Sequence, residues 1–294
     1  MKVCVATIPS TLSQGIHRVS RALEAYAPAG VRIVPTWEEA DLVLLHVIGI
    51  AGVQEVIDRL QKPHCLFMYC TWQTGGGTYE EWGRAWYGAK LISSYYDLEH
   101  TSLAETWFPG WPSLRRFNLH RTPLGVDTDV FRPCGCAKQF LVGTSGYVAD
   151  QECLGEWGVV SAASGQGHFH LGPTDVVGAP GVTYVNGIPD GELAKRWSRC
   201  RFVSGLRRVE GFELPAYEGL ACGARPVMFR RDDAIHWMQD HAEYVDETTP
   251  AHIIEQLREL VRRPPRPVTD AERAWVRDTF SWARFAKDWW ERVL

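Results

Sequence analysis

Two glutamates, Glu210 and Glu218, stand eight positions apart around the stretch Gly211-Phe212-Glu213-Leu214-Pro215. Pro215 fits the first turn of a helix, where the N–H it lacks would be unpaired anyway, and Gly223 fits the place just past a helix end. Such a loop delivers a helix N-terminus, with free N–H groups and roughly half a positive charge. That terminus is a seat for an anion such as a diphosphate. The two carboxylates bracket the seat. Each would repel a phosphate and can only accept hydrogen bonds, so their natural partners are the hydroxyls of a sugar or ribose.

The elements that must position this loop alternate along the chain. Short, unbroken apolar runs at 3–8, 31–34, 41–47, 65–69 and 90–93 read as buried parallel strands, with helical patterns at 17–26 and 53–60. The opening is strand, a polar loop with Gly15, then helix, which is how a doubly wound sheet begins. Residues 71–88, TWQTGGGTYEEWGRAWYG, carry three consecutive glycines and predict a loop that something approaches closely. Within 108–121, Trp111, Arg115, Arg116, Phe117, His120 and Arg121 interleave rings and positive charge, a composition suited to a phosphate-bearing partner. A partly solvated helix explains it as well. Residues 122–133, TPLGVDTDVFRP, read as a linker. The pattern then restarts: a strand at 140–142 runs into Gly143, Thr144, Ser145 and Gly146, followed by a helix at 152–163 and strands at 168–171, 182–185, 201–204 and 225–229.

Composition sets the outer bounds. With 294 residues, 45% of them hydrophobic, the chain has room for two domains with their own cores. Lys and Arg number 31 against 35 Asp and Glu, a net charge of -4 that argues against wholesale binding to a polyanion. The apolar run at the start is too short for a signal peptide and no later run is long enough to span a membrane, so a cytoplasmic protein is expected. The eight cysteines are scattered, which fits reduced, buried thiols better than a disulfide framework. Cys134 and Cys136 form the one close pair, without a second pair at zinc spacing, and no metal site is expected.

The stretch Glu210, Gly211, Phe212, Glu213, Leu214, Pro215, Glu218, Ala221, Gly223, Pro226 and Val227 resembles the donor-site signature of the retaining glycosyltransferases of family 4, which have the GT-B fold. Pro123, Gly125, Val126, Asp127, Phe131 and Pro133 resemble that family's interdomain segment, and the ending TFSWARFAKDWWERVL resembles its crossover helix. The resemblance implies an α/β protein of two Rossmann-like, doubly wound parallel-sheet domains facing a cleft, with boundaries at 1–126, 127–277 and 278–294. It implies transfer of a hexosyl or pentosyl group from a nucleoside diphosphate sugar, a UDP-sugar first among them, to an acceptor hydroxyl, with retention and without metal or other cofactor. Glu210 would stabilise positive charge developing on the sugar, and Glu218 would hold ribose hydroxyls. The N–H groups of Phe212, Glu213 and Leu214 would hold sugar or phosphate oxygens. Gly143, Thr144 and Ser145 would line the donor, and Gly187 and Ile188 would lie against the base. Gly15, Trp72, Arg115 and Arg116 are the acceptor-side candidates.

The sequence departs from that family where a leaving diphosphate is usually clamped. Thr144 and Ser145 stand where an Arg is usual, and Asp150-Gln151-Glu152 contains no Lys. A departing diphosphate needs cationic stabilisation, so Arg207 or Arg208, just before Glu210, is expected to supply it. The acceptor stays open among a glycan, a small molecule and hydroxymethylated DNA, a flipped base of which would need a pocket and stacking. A nucleotide-sugar-binding protein without catalysis is the alternative of a different class. His46 is expected to be a packed histidine rather than a base.

Overall fold

A computed structural model of the chain describes residues 1–8, 14–47, 53–69, 85–96, 117–146, 152–172, 177–208 and 212–294. They form two compact units, Met1–Gly125 together with Trp282–Leu294, and Val126–Ser281.

The first unit is built on strands β1 (Lys2–Ile8), β2 (Arg32–Ile33), β3 (Leu42–Val47), β4 (His64–Met68), β5 (Ala89–Ser94) and β6 (Leu119–Arg121). They lie in the order β2-β1-β3-β4-β5-β6, every pair parallel. All six residues of β3 are buried, as in a strand covered on both faces, which is why LVLLHV shows no alternation. Helices α1 (Gln14–Ala25) and α2 (Val53–Leu60) follow β1 and β3. Gly15 therefore lies in the first turn of α1 rather than in a loop. Glycine's cost in a helix is lost backbone freedom, about 1 kcal/mol relative to alanine in the interior, and a position in the first turn lies outside that interior.

The second unit carries β7 (Phe140–Ser145), β8 (Gly167–Leu171), β9 (Val182–Val185), β10 (Cys200–Gly205), β11 (Arg225–Phe229) and β12 (Glu243–Val245). Their order is β12-β11-β10-β7-β8-β9, again all parallel. Numbered from β7 this is 3-2-1-4-5-6, so the winding reverses between β7 and β10. Open α/β sheets take ligands beyond the carboxyl ends of the strands at such a reversal. Its helices are α3 (Leu154–Ser164), α4 (Asp190–Ser198), α5 (Leu214–Ala221), α6 (Asp232–Met238), α7 (Pro250–Arg262) and α8 (Asp270–Thr279). The core of this unit includes Leu141, Val142, Trp157, Phe202, Val227, Ile253 and Leu257. The chain then returns to the first unit as α9 (Trp282–Val293), whose Phe285, Ala286, Trp289, Trp290 and Val293 are buried. Trp290 Nε1 donates to Leu23 O at 3.2 Å, and Lys90 Nζ donates to Val293 O at 2.6 Å. Gly125 has to be glycine, because a Cβ there would lie 2.4 Å from the Trp282 ring.

A buried ion pair ties three elements of the second unit together. Arg225 on β11 is 1% exposed. Its Nη1 and Nη2 donate to the two oxygens of Glu272 on α8 at 2.7 and 3.1 Å. The remaining N–H groups reach His241 O, Pro267 O and Arg266 O at 2.8, 2.8 and 3.1 Å. Glu272 also accepts from the backbone of Thr269 and closes a capping box at the start of α8.

Several features depart from the sequence reading. β6 occupies part of the basic-aromatic stretch for which a helix was an option, and β12 and α8 were not foreseen. Cys134 and Cys136 are joined in a disulfide across Gly135. Cys4, Cys65, Cys153, Cys200 and Cys222 are free and buried, and Cys70 lies outside the described residues. Among the described residues no helix is long and apolar enough to cross a membrane.

Candidate functional site

The carboxyl ends of β7 and β10, where the second sheet reverses, converge on one arginine. Arg207, two residues past β10, places Nε 3.0 Å from Glu213 Oε2 and Nη1 3.2 Å from Glu152 Oε1. Its Nη2 lies 3.5 Å from both the carbonyl and the hydroxyl of Ser145 at the end of β7. Glu213 is 2% exposed and Glu152 is 7% exposed, while the Arg207 side chain keeps 20% of its surface open. Three chain segments brought together by parallel pairing thus hold one cation beside two buried anions. Glu152, which opens the turn into α3, is given no role by the sequence alone.

Arg208 goes elsewhere. Its guanidinium faces Glu156 at 3.8 Å and Glu247 at 3.6 Å and lies over the Phe229 ring at 5.7 Å. Arg231 shares Glu247 and donates to Arg208 O. Of the two arginines proposed as the cationic group, Arg207 is the one at the sheet's reversal.

Helix α5 begins as its sequence implies, with Pro215 in the first turn and Gly223 at a φ of +82° just past the end. Phe212 is buried and stacks on Tyr217 at 4.2 Å with the rings 2° from parallel. Phe280 and Trp237 close around it. This aromatic cluster fixes where the loop enters the helix, and the backbone of Glu213 and Leu214 follows from it. Glu210 and Gly211 lie outside the described residues.

Glu218, one turn further along, is 2% exposed, and its Oε2 accepts a hydrogen bond from Trp197 Nε1 at 3.3 Å. Trp197 on α4 lies against β7, and Gly143 makes room for it. A Cβ at Gly143 would meet the indole at 2.4 Å and Cys200 Sγ at 2.9 Å. The bulk of Trp197, itself fully buried, therefore explains why β7 carries a glycine there. Gly143→Ala is expected to lose about 1–3 kcal/mol of stability through overpacking. Chemical denaturation reads this, and an unchanged midpoint would show that the indole can give way.

Thr144 turns inward to β8. Its hydroxyl lies 2.7 Å from His168 Nε2 and 2.8 Å from His170 Nδ1. His168 Nδ1 in turn lies 3.4 Å from Ser161 Oγ on α3. Burial pushes His168 down to about 3, with His170 adding to the effect. Burial likewise brings His170 down to about 4; the Gly146 carbonyl opposes this and the Arg207 charge favours it. Both imidazoles are neutral at pH 7. Strand alternation puts both on one face, a signal carried by the local pattern His168-Phe169-His170.

Gly187 has a φ of +64° just after β9, and Ile188 beside it is partly exposed. Trp72, Arg115 and Arg116 lie outside the described residues. In the first unit, His46 at the end of β3 is fully buried. Its Nε2 lies 3.0 Å from Ser20 Oγ and its Nδ1 2.8 Å from Tyr69 Oη. The Ser20 hydroxyl donates to Ile16 O, so Ser20 accepts from Nε2–H, and Nδ1 accepts from Tyr69. Burial, and then His17, push His46 to about 3. With both nitrogens engaged, it packs rather than abstracts protons.

No family model matches the sequence, and no curated protein matches it. Solved structures match over nearly its whole length. Sucrose-phosphate synthase from Thermosynechococcus elongatus is 12% identical, with a TM-score of 0.73 covering 99% of this chain and 97% of that one. Anabaena HepE in complex with UDP and glucose is 11% identical, with a TM-score of 0.70 covering 99% and 98%. A glycosyltransferase from Rickettsia africae ESF-5 is 10% identical, with a TM-score of 0.69 covering 99% and 97%. At such identities the likeness is one of fold. The chain has the GT-B fold, with two Rossmann-like units each built on a parallel sheet.

Proposed function

We propose that the protein transfers a sugar from a nucleoside diphosphate sugar, with UDP-sugars the first candidates, to an acceptor hydroxyl, with retention of anomeric configuration and without a metal. The observation that carries this reading is Arg207, fixed at the reversal of the second sheet by Glu152, Glu213 and Ser145. A nucleotide bound beyond the carboxyl ends of β7 and β10 would place its diphosphate at this cation. The fold supports the same reading, since the structures it resembles are glycosyltransferases and one of them holds UDP and glucose.

In this reading the second unit takes the donor and the first unit the acceptor. The bond from the anomeric carbon to the diphosphate breaks, and the acceptor oxygen bonds to the same face of that carbon. The acceptor's proton passes to the departing phosphate oxygen, so no carboxylate nucleophile is needed. Arg207 stabilises the charge that builds on the diphosphate. Glu210 stabilises the positive charge on the sugar, Glu218 accepts from ribose hydroxyls, and the N–H groups at the start of α5 hold sugar or phosphate oxygens.

A thermal-shift panel of UDP, GDP, ADP and dTDP with their common sugars tests the reading first. A ligand that binds only the folded protein adds about 2.7 kcal/mol of stability at a hundredfold excess over its Kd. A selective shift by one nucleotide, followed by transfer or slow donor hydrolysis whose product keeps the donor's anomeric configuration, is the expected result. Absence of any shift would overturn it, and an inverted product would overturn retention.

A further inference from the structure

We propose that Cys134 and Cys136 form a thiol–disulfide exchange site, an exposed redox couple that takes low-molecular-weight thiols as its reductant and their disulfides as its oxidant. The inference does not rest on the nucleotide-sugar reading above. The pair lies in the second unit ahead of β7, bonded to Ser198 at the end of α4, whereas Arg207 follows the opposite end of β10.

Exposure singles the pair out. Cys134, Gly135 and Cys136 are all exposed, while Cys4, Cys65, Cys153, Cys200 and Cys222 are buried. Gly135 has a φ of +70°, and a Cβ placed on it would meet nothing within 4 Å among the described residues. The turn that closes the ring is thus one that glycine adopts readily, and it stands in open space where a thiolate in solution can reach the sulfur–sulfur bond. The buried thiols do not compete. Burial raises Cys4 and Cys200 and pushes Cys65, Cys153 and Cys222 up to about 12. Exchange needs the thiolate, which these five do not supply near neutrality.

The bond is also poorly placed to be a staple. A disulfide stabilises a fold mainly by restricting the unfolded chain, and the effect grows with the loop it closes. Here the bonded residues are two apart in sequence. Other bonds hold the loop. Cys134 N–H donates to Ser198 Oγ at 3.3 Å, and Lys138 Nζ donates to Ser198 O at 3.0 Å and to Gly223 O at 2.7 Å. None of them uses sulfur, so they persist on reduction and keep the two thiols, whose Cα atoms lie 5.4 Å apart, within bonding range of each other. Exposed disulfides are the labile ones. In the exchange a thiolate attacks one sulfur of the pair, the sulfur–sulfur bond breaks, and the other cysteine leaves as a thiolate that takes up a proton. A second thiolate attacks the mixed disulfide, and the first cysteine leaves and is protonated in turn. Two thiols have then given two electrons and two protons to the pair, and one small disulfide has formed. Oxidation runs the same steps backwards.

Thiol labelling of the whole native chain tests this. The protein is equilibrated with excess dithiothreitol, reduced glutathione or oxidised glutathione, quenched with a maleimide and digested with trypsin. The peptide 122–138, which holds Cys134 and Cys136 and no other cysteine, is then weighed. It is expected to carry neither label nor glutathione after oxidised glutathione, two labels after either reductant, and none again once oxidised glutathione is restored. Cys4, Cys65, Cys153, Cys200 and Cys222 are expected to stay unlabelled throughout. In Cys136→Ser no neighbouring thiol can expel a mixed disulfide, so Cys134 is expected to retain one glutathione. An unlabelled peptide in excess dithiothreitol would overturn the inference, and so would two labels after oxidised glutathione. Labelling of the five buried cysteines on reduction would overturn it as well, since the bond would then be holding the fold.

Discussion

Arg207→Met is expected to lower sugar transfer by about a hundredfold to a thousandfold, the range seen when one group that stabilises transition-state charge is removed. The variant also exposes the other side of the arrangement. Glu152 and Glu213 are 7% and 2% exposed and would both lose this cation. An uncompensated buried charge costs on the order of 3–5 kcal/mol, so the single variant should also be less stable. Arg207→Met combined with Glu213→Gln removes one anion with the cation and should recover much of the stability. If the arginine serves the leaving diphosphate, the folded double variant stays inactive and binds nucleoside diphosphates weakly. Recovery of transfer along with stability would reduce Arg207 to a support for the loop.

Arg225→Ala is expected to be the most destabilising single change in the second unit, by on the order of 3–5 kcal/mol in chemical denaturation. The arginine joins β11 to α8 and to the turns at His241 and Pro267, and every N–H of its guanidinium has a partner. Its removal leaves a carboxylate that is only 6% exposed with Arg266 and His241, each 3.6 Å away, as its remaining basic neighbours. The same pair makes the second unit sensitive to acid. Burial pushes the Glu272 carboxyl up, but hydrogen bonds from Arg225 and Thr269, together with the Arg225 charge, outweigh burial and bring it down from 4.5 to about 2. A lowered pKa in the folded state means that the contribution is present above pH 4.5 and is lost as the pH falls from there towards 2. The gap in urea midpoint between the parent and Glu272→Gln should therefore be constant near neutrality and narrow below pH 4.5. A gap that did not change with pH would show that the carboxylate's charge is not what matters.

What could be read from the sequence was whatever a short segment determines by itself. Pro215 and Gly223 fix the ends of α5 through local backbone chemistry, and strands such as LVLLHV announce two covered faces through their own composition. Thr269-Asp270-Ala271-Glu272 is also a local signal, the capping box that opens α8. The chemistry around Arg207 was only half legible. The expectation of an arginine near Glu210 rests on the need for a cation beside a leaving diphosphate. Which arginine, and which anions accompany it, depends on how β7 and β10 pair and where α3 begins, and no local pattern encodes that. The link from Thr144 to His168 and His170 likewise exists only because β8 pairs in register with β7.

Helix α9 completes the first unit, yet it follows the whole of the second in the chain. During synthesis the seat for Trp289 and Trp290 must therefore wait while Val126–Ser281 is made, on the order of ten seconds at ribosomal speed. The second unit can mature in that interval, because its sheet and helices are continuous in sequence. The first unit is left ajar, with apolar surface uncovered until its last twelve-residue helix emerges. A chain stalled before Trp282 would thus carry a finished second unit and a first unit whose apolar seat for Trp289 and Trp290 is still uncovered.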